Sequence, residues 1–153
     1  MENKSREIKA EEFFLRGKNC SQSVFLAFAD KYGLNEETAS KISCGLGGGV
    51  GRMREVCGAV TGASLVFGLE YGDDKAAVYG YVQEFCRRFK EECGSIVCRE
   101  LLEGTGATQG GAPEERTSAY YAKRPCVEMV KLAARILRKW VFDENCPLRS
   151  RRT

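Results

Sequence analysis

Apolar residues recur along this chain at helical spacing. No short stretch shows the strict alternation with β-branched enrichment that a strand needs. The pattern predicts a helix over about 5–16, with Ile8, Phe13, Phe14 and Leu15 as apolar anchors and Gly17 as its end. A second helix runs over about 20–31. Asn19 is its N-cap, Val24, Phe25 and Phe28 form its buried stripe, and Gly33 stops it. Asn35 caps a third helix over 36–44. The run Gly45 to Gly51 holds too much glycine to continue it.

A fourth helix is expected over 57–71, and a fifth from a cap at Asp73 or Asp74 to Glu92. A short sixth runs from a cap at Ser95 to Leu102, and residues 104–116 form a loop. The last helix covers 126–141, with Met129, Val130, Ala133, Ile136, Leu137 and Trp140 on its apolar stripe. The expectation is an all-α single domain, a bundle of six to seven helices over 1–142, followed by a basic tail over 143–153.

Composition adds a size and a setting. The 153 residues suit one hydrophobic core, and 43% apolar with 29% charged is ordinary for a globular chain. A net charge of +3 is too balanced to name nucleic acid or an anionic membrane as the main partner. The basic residues that cluster, among them Arg135, Arg138, Lys139, Arg149, Arg151 and Arg152, read as a solvated helix face and a tail. The longest run of apolar and small residues, Ala59 to Leu69, is too short to span a membrane. Met1 to Lys9 has no apolar segment of a secretory signal behind it, so the expected location is cytoplasmic.

The cysteines change the picture. There are eight, at 20, 44, 57, 86, 93, 98, 126 and 146, and there is no histidine. In a reducing compartment that many thiols point to redox or metal chemistry, with some serving only as small buried hydrophobes. Without histidine there is no Cys-His dyad, no Ser-His-Asp triad, no His-ligated zinc and no c-type haem attached through Cys-x-x-Cys-His. Proton transfer falls to Cys, Glu, Asp, Lys, Tyr or water.

Four cysteines fall at predicted helix starts: Cys20 after the cap Asn19, Cys57, Cys98 in the first turn after Ser95, and Cys126 after Pro125. A helix N-terminus carries free N–H groups and a partial positive charge, which favour thiolate. Arg52 and Arg54 precede Cys57 and should lower its pKa further, which makes Cys57 the leading candidate nucleophile. Cys44 and Cys93 sit near helix C-termini, Cys86 is mid-helix and Cys146 lies in the tail, so these four receive no role, although Cys93 is near enough to Cys98 to interact.

The glycine run matches neither the dinucleotide fingerprint nor the P-loop. Its simplest reading is a flexible turn that lets two helices pack closely, with a backbone anion nest as the alternative. Gly58, Ala59, Gly62, Ala63 and Ser64 form a small-residue face. Its usual meaning is close helix approach, and its alternative is a seat for a flat cofactor.

The stretch Cys57-Gly58-Ala59-Val60-Thr61-Gly62 resembles the CGAxxG signature of the C_GCAxxG_C_C family, described as redox-active proteins. Asn19-Cys20-Ser21-Gln22-Ser23, Gly47-Gly48-Gly49, Gly68-Leu69-Glu70-Tyr71-Gly72, Cys98-Arg99-Glu100-Leu101-Leu102 and Cys126 agree with it, over about residues 8–137. The resemblance implies functional roles for Cys20, Cys57, Cys98 and Cys126, the same four found at helix starts. It implies redox activity without naming a reaction. Related domains resemble part of the split-Soret cytochromes, but their haem chemistry does not carry over to a chain without histidine.

Three functions follow, in order of preference. The first is a thiol oxidoreductase in which Cys57 attacks and Cys98 or Cys20 resolves. The second is a zinc or iron–sulfur site held by Cys20, Cys57, Cys98 and Cys126. Spacings of 37, 41 and 28 residues lack the close pair such sites normally use. The third is a non-catalytic helical interaction module. The redox partner and any homo-oligomer are left open.

Overall fold

The computed structural model describes residues 5–141. It is all-α, with no strand among those residues. The helices are α1 (Arg6–Leu15), α2 (Cys20–Ala29), α3 (Glu36–Cys44), α4 (Gly58–Tyr71), α5 (Lys75–Cys93), α6 (Cys98–Leu101), α7 (Ser118–Lys123) and α8 (Cys126–Val141), and a 3-10 turn Asp30–Tyr32 follows α2. The segment Gly47–Val50 turns like a helix, but Gly48 (φ 68) and Gly49 (φ 70) are left-handed, so it belongs to the glycine loop. Helix α7, capped by the Thr117 side chain, was not expected and raises the helix count by one. The expected tail, Cys146 included, lies outside the described residues.

Helix α2 is the axis of the bundle, buried at every residue from Ser21 to Ala29. A helix apolar all round is stable only when other helices enclose it. Helices α1, α3, α4 and α8 do so. Its start is fixed by a capping box. Asn19 Oδ1 accepts from the Gln22 N–H at 2.9 Å, and Gln22 Oε1 accepts from the Asn19 N–H at 2.9 Å. The Gln22 amide also donates to the Ser40 carbonyl at 3.0 Å and ties α3 to α2.

The far end of the bundle is an aromatic core. Phe67 of α4 lies 5.3 Å from Trp140 of α8 and 6.0 Å from both Tyr81 and Phe85 of α5. Tyr71 stacks on Tyr81 at 4.0 Å. Each ring buried here contributes about 1.5–3 kcal/mol of apolar transfer, so this end anchors α4, α5 and α8. Helix α4 rises about 1.5 Å per residue from Cys57 to this cluster. Cys57 therefore occupies the opposite end, about 15 Å from Phe67 and about 20 Å from Tyr71 along the helix.

Two anchors proposed for α1 are not core. Ile8 is 46% and Leu15 54% exposed, whereas Ala10 and Phe14 are buried, because the buried face of α1 is narrow and passes through those two. Ser95 is not the cap of α6. That helix begins at Cys98 after Val97, and Ser95 Oγ accepts from the Val97 N–H at 2.9 Å and donates to Glu100 at 2.6 Å.

Candidate functional site: a four-thiol cavity

Two short-range devices bring the four cysteines together. The first is close approach through glycine. On α4, a Cβ at Gly62 would stand 2.6 Å from the Ser21 carbonyl oxygen, and one at Gly58 would stand 3.0 Å from Cys20 Cβ. The small-residue face therefore receives the first turn of α2, as its usual meaning predicts, and leaves no seat there for a flat cofactor. This contact brings Cys20 against the start of α4, where Cys57 is the N-cap.

The second device is a backbone clamp. Val56 and Val97 form an isolated antiparallel bridge. The Cys57 N–H donates to Ile96 O at 2.8 Å, and the Cys98 N–H donates to Glu55 O at 2.6 Å. Cys57 and Cys98 are thus neighbours across two backbone segments. The glycine loop closes over them. A Cβ at Gly49 would lie 2.7 Å from Cys98 Cβ, and one at Gly47 would overlap the Asn19 side chain. Left-handed φ continues through Val50 (65°), Gly51 (57°), Arg52 (65°) and Arg54 (59°). A β-branched residue there is uncommon, and such strain persists only where the surroundings impose it. The run is a tight, packed turn rather than a flexible one.

Cys20, Cys57, Cys98 and Cys126 line one cavity of about 60 Å³, with Phe14, Leu101, Leu102, Tyr120, Met129, Arg54, Arg116 and Arg124. All four expected site residues are therefore brought together. Their acidities separate sharply. Pairing with the Cys126 sulfur raises the Cys20 thiol well above the ordinary cysteine value; burial and the other neighbouring sulfurs add to the rise. The same pairing lowers Cys126, to about 7, against the opposing effect of burial, and the guanidinium groups of Arg124, Arg116 and Arg54 assist. Cys98 is raised by burial, partly offset by Arg54, whose Nη1 lies 3.7 Å from Cys98 Sγ. Tyr120 is pushed up to about 12 by burial and by Cys126, so its phenol stays protonated.

Cys57 reverses the sequence expectation. It is 6% exposed, and burial drives its pKa up to about 12, although the Ala59 and Val60 N–H groups at the helix start favour its thiolate. The two arginines expected to help are spent elsewhere. Arg52 donates to Gly110 O at 2.8 Å and Thr108 Oγ1 at 2.9 Å, while Arg54 serves Cys98 and Thr108 O. The low-pKa thiol is Cys126, supported by Arg116 and Arg124, which sequence reading did not single out. Arg124 stands two residues before Cys126, but Arg116 reaches the site only through the fold. It stacks 4.2 Å over Phe14 and donates to Phe14 O at 3.0 Å and Lys18 O at 2.9 Å.

The remaining described cysteines stay apart from this set. The Cys93 thiol is within hydrogen-bond distance of Phe89 O at 3.0 Å and Ser95 O at 3.3 Å. Cys86 is half-buried on α5, and Cys44 is exposed. None of the seven described cysteines forms a disulfide. Among the described residues, no group of three or more Cys, Asp or Glu side chains is placed to hold a metal ion. No helix among them is long and apolar enough to cross a membrane.

An all-helical bundle with four thiols around one cavity defines the class of this protein. A family model described as "Putative redox-active protein (C_GCAxxG_C_C)" matches residues 18–140, and the chain belongs to that family. No curated protein and no solved structure matches it.

Proposed function

We propose that the protein is a thiol–disulfide oxidoreductase in which Cys126 is the nucleophile and Cys20 the resolving thiol. The observation that carries this reading is the shared cavity in which Cys20 and Cys126 lie with Arg54, Arg116 and Arg124, a setting that favours charge on Cys126 and a protonated Cys20. Thiolate, not thiol, attacks disulfides, and a pKa near ambient pH combines a large thiolate fraction with good nucleophilicity.

In the forward step the Cys126 sulfur attacks one sulfur of a substrate disulfide. A new S–S bond forms, the substrate S–S bond breaks, and one substrate thiolate leaves. Cys126 then carries no charge, so the two largest effects of that sulfur on Cys20, the pairing and the repulsion, are removed. Cys20 becomes easier to deprotonate, and its proton goes to the departing thiolate or to water. Its sulfur attacks Cys126 Sγ and releases the second substrate thiolate. The substrate is reduced by two electrons and the protein is oxidised to a Cys20–Cys126 disulfide, which an external thiol reductant returns to the dithiol. Cys98 and Cys57, in the same cavity, form a second pair that can take over this disulfide by exchange.

The metal reading has the shared cavity in its favour, but the spacing of these thiols supplies no ligand group among the described residues. Thiol exchange needs only two sulfurs at a time and fits the arrangement better. The test is oxidation of the reduced protein with one equivalent of a small disulfide, followed by peptide mapping under acid quench. A Cys20–Cys126 bridge is expected as the first product. First formation of a bridge that omits Cys126 would overturn the assignment.

A further inference from the structure

A second, larger cavity of about 260 Å³ adjoins the thiol cavity and shares with it the walls Arg54, Arg116, Tyr120 and Arg124. Arg52 and Glu114 complete its charged lining. Four guanidinium groups thus face one carboxylate. Glu114 is approached by Arg124 at 2.5 Å, Arg52 at 3.4 Å and Arg54 at 4.0 Å, while Arg116 is held by carbonyls and aromatic rings. The side chains of Arg52, Arg54 and Arg124 are only 12%, 8% and 6% exposed. Withdrawing like charges from water is costly, and one shared carboxylate neutralises only part of them. Part of their role is plainly structural, since Arg52 and Arg54 also hold the carbonyls of Thr108 and Gly110. Clamping a loop, however, does not require a concentration of positive charge around an open cavity. Planar guanidinium forks suit carboxylates and oxyanions.

We propose that this cavity binds a small anion, and that it seats the carboxylate or oxyanion end of the disulfide that Cys126 attacks. The second half rests on the reading of Cys126 given above; the first half does not. The cavity lies just below the size range of drug-sized ligand sites, which suits a small anion. Cys126 lines the adjoining cavity, which has Arg54, Arg116, Tyr120 and Arg124 as walls in common with this one, so a disulfide whose anionic end is held here has only those shared walls to pass.

The test uses the intact reduced protein. Calorimetric titration with inorganic phosphate and with succinate measures the anion site directly and separates an oxyanion from a dicarboxylate as its ligand. In parallel, the rate of reaction is measured with an anionic disulfide, dithiobis(nitrobenzoate), and an uncharged one, dithiodipyridine. Saturable binding of at least one anion is expected, together with slowing of the anionic disulfide but not the uncharged one when that anion is added. Arg52→Gln should slow the anionic disulfide about ten-fold, with Arg52→Lys retaining most of the rate, as loss of local positive potential implies. If neither anion binds and the two disulfides respond alike to Arg52→Gln and to salt, the site is overturned and the arginines only brace the loop. If an anion binds but neither disulfide reacts at Cys126, the anion site stands and the thiol reading fails.

Discussion

Cys20 and Cys126 line the same cavity, and their pairing raises the Cys20 thiol and lowers that of Cys126. Both residues open helices, so the dipole alone would treat them alike. The asymmetry comes from the arginines, since Arg124, Arg116 and Arg54 favour the charge on Cys126. Removing the Cys20 thiol should still weaken the nucleophile. In Cys20→Ala the Cys126 pKa is expected to move upward, and a rise of about one unit would slow its alkylation at neutral pH about five-fold, as the thiolate fraction falls from about a half to about a tenth. The check is the rate of Cys126 modification followed by mass spectrometry, and an unchanged rate would assign the low pKa to the arginines alone.

Glycine packing makes the cavity, so small additions at the helix contact should be costly. Gly62→Ala places a methyl group 2.6 Å from the Ser21 backbone oxygen. Overpacking of this kind costs about 1–3 kcal/mol, and it should separate α2 from α4 and move Cys20 away from Cys57. The expected result is a lower denaturant midpoint with the helical circular dichroism retained. Gly68→Ala, on the same helix with open space around it, should be neutral or slightly stabilising.

Alkaline pH should destabilise the protein through its buried thiols. The folded pKa of Cys57, about 12, lies above the ordinary value of 9.0. Between those values the unfolded chain releases a proton that the folded chain keeps, so stability falls as pH rises. At 1.36 kcal/mol per unit the limit is about 4 kcal/mol by pH 12. Cys20 and Cys98 act in the same direction. Cys126 acts oppositely: its lowered pKa contributes stability that is complete above pH 9 and is lost as pH falls through about 7. Urea midpoints measured from pH 7 to 11 should decline above 9, and Cys57→Ser should flatten that decline.

The helices were legible because their punctuation is local. Asn19, Asn35 and Asp74 cap the helices they precede, and Gly33 and Gly94 adopt the left-handed φ that ends a turn. Helix α7 escaped notice because six residues carry too little periodicity to stand out. The four cysteines that line the cavity were legible from their place at helix starts and from the resemblance to a four-cysteine family. Their ranking was not. Proximity in sequence put Arg52 and Arg54 next to Cys57, but the left-handed backbone at both arginines accompanies side chains committed to residues 108–114 and to Cys98. The charge that matters for Cys126 includes Arg116, which reaches the site only by crossing to α1 and stacking on Phe14. Burial of Cys57 then outweighs the helix start. Both effects depend on distant packing and leave no mark on local sequence.

The most direct test of the account is the pH dependence of alkylation, resolved cysteine by cysteine. The reduced protein is pulsed with iodoacetamide between pH 5 and 10, quenched, digested and quantified by mass spectrometry. Cys126 should be labelled first, with a rate that rises through about pH 7 and then levels, while Cys57 remains protected until the fold is lost. Labelling of Cys57 ahead of Cys126 at neutral pH would contradict the account and return the nucleophile to the start of α4.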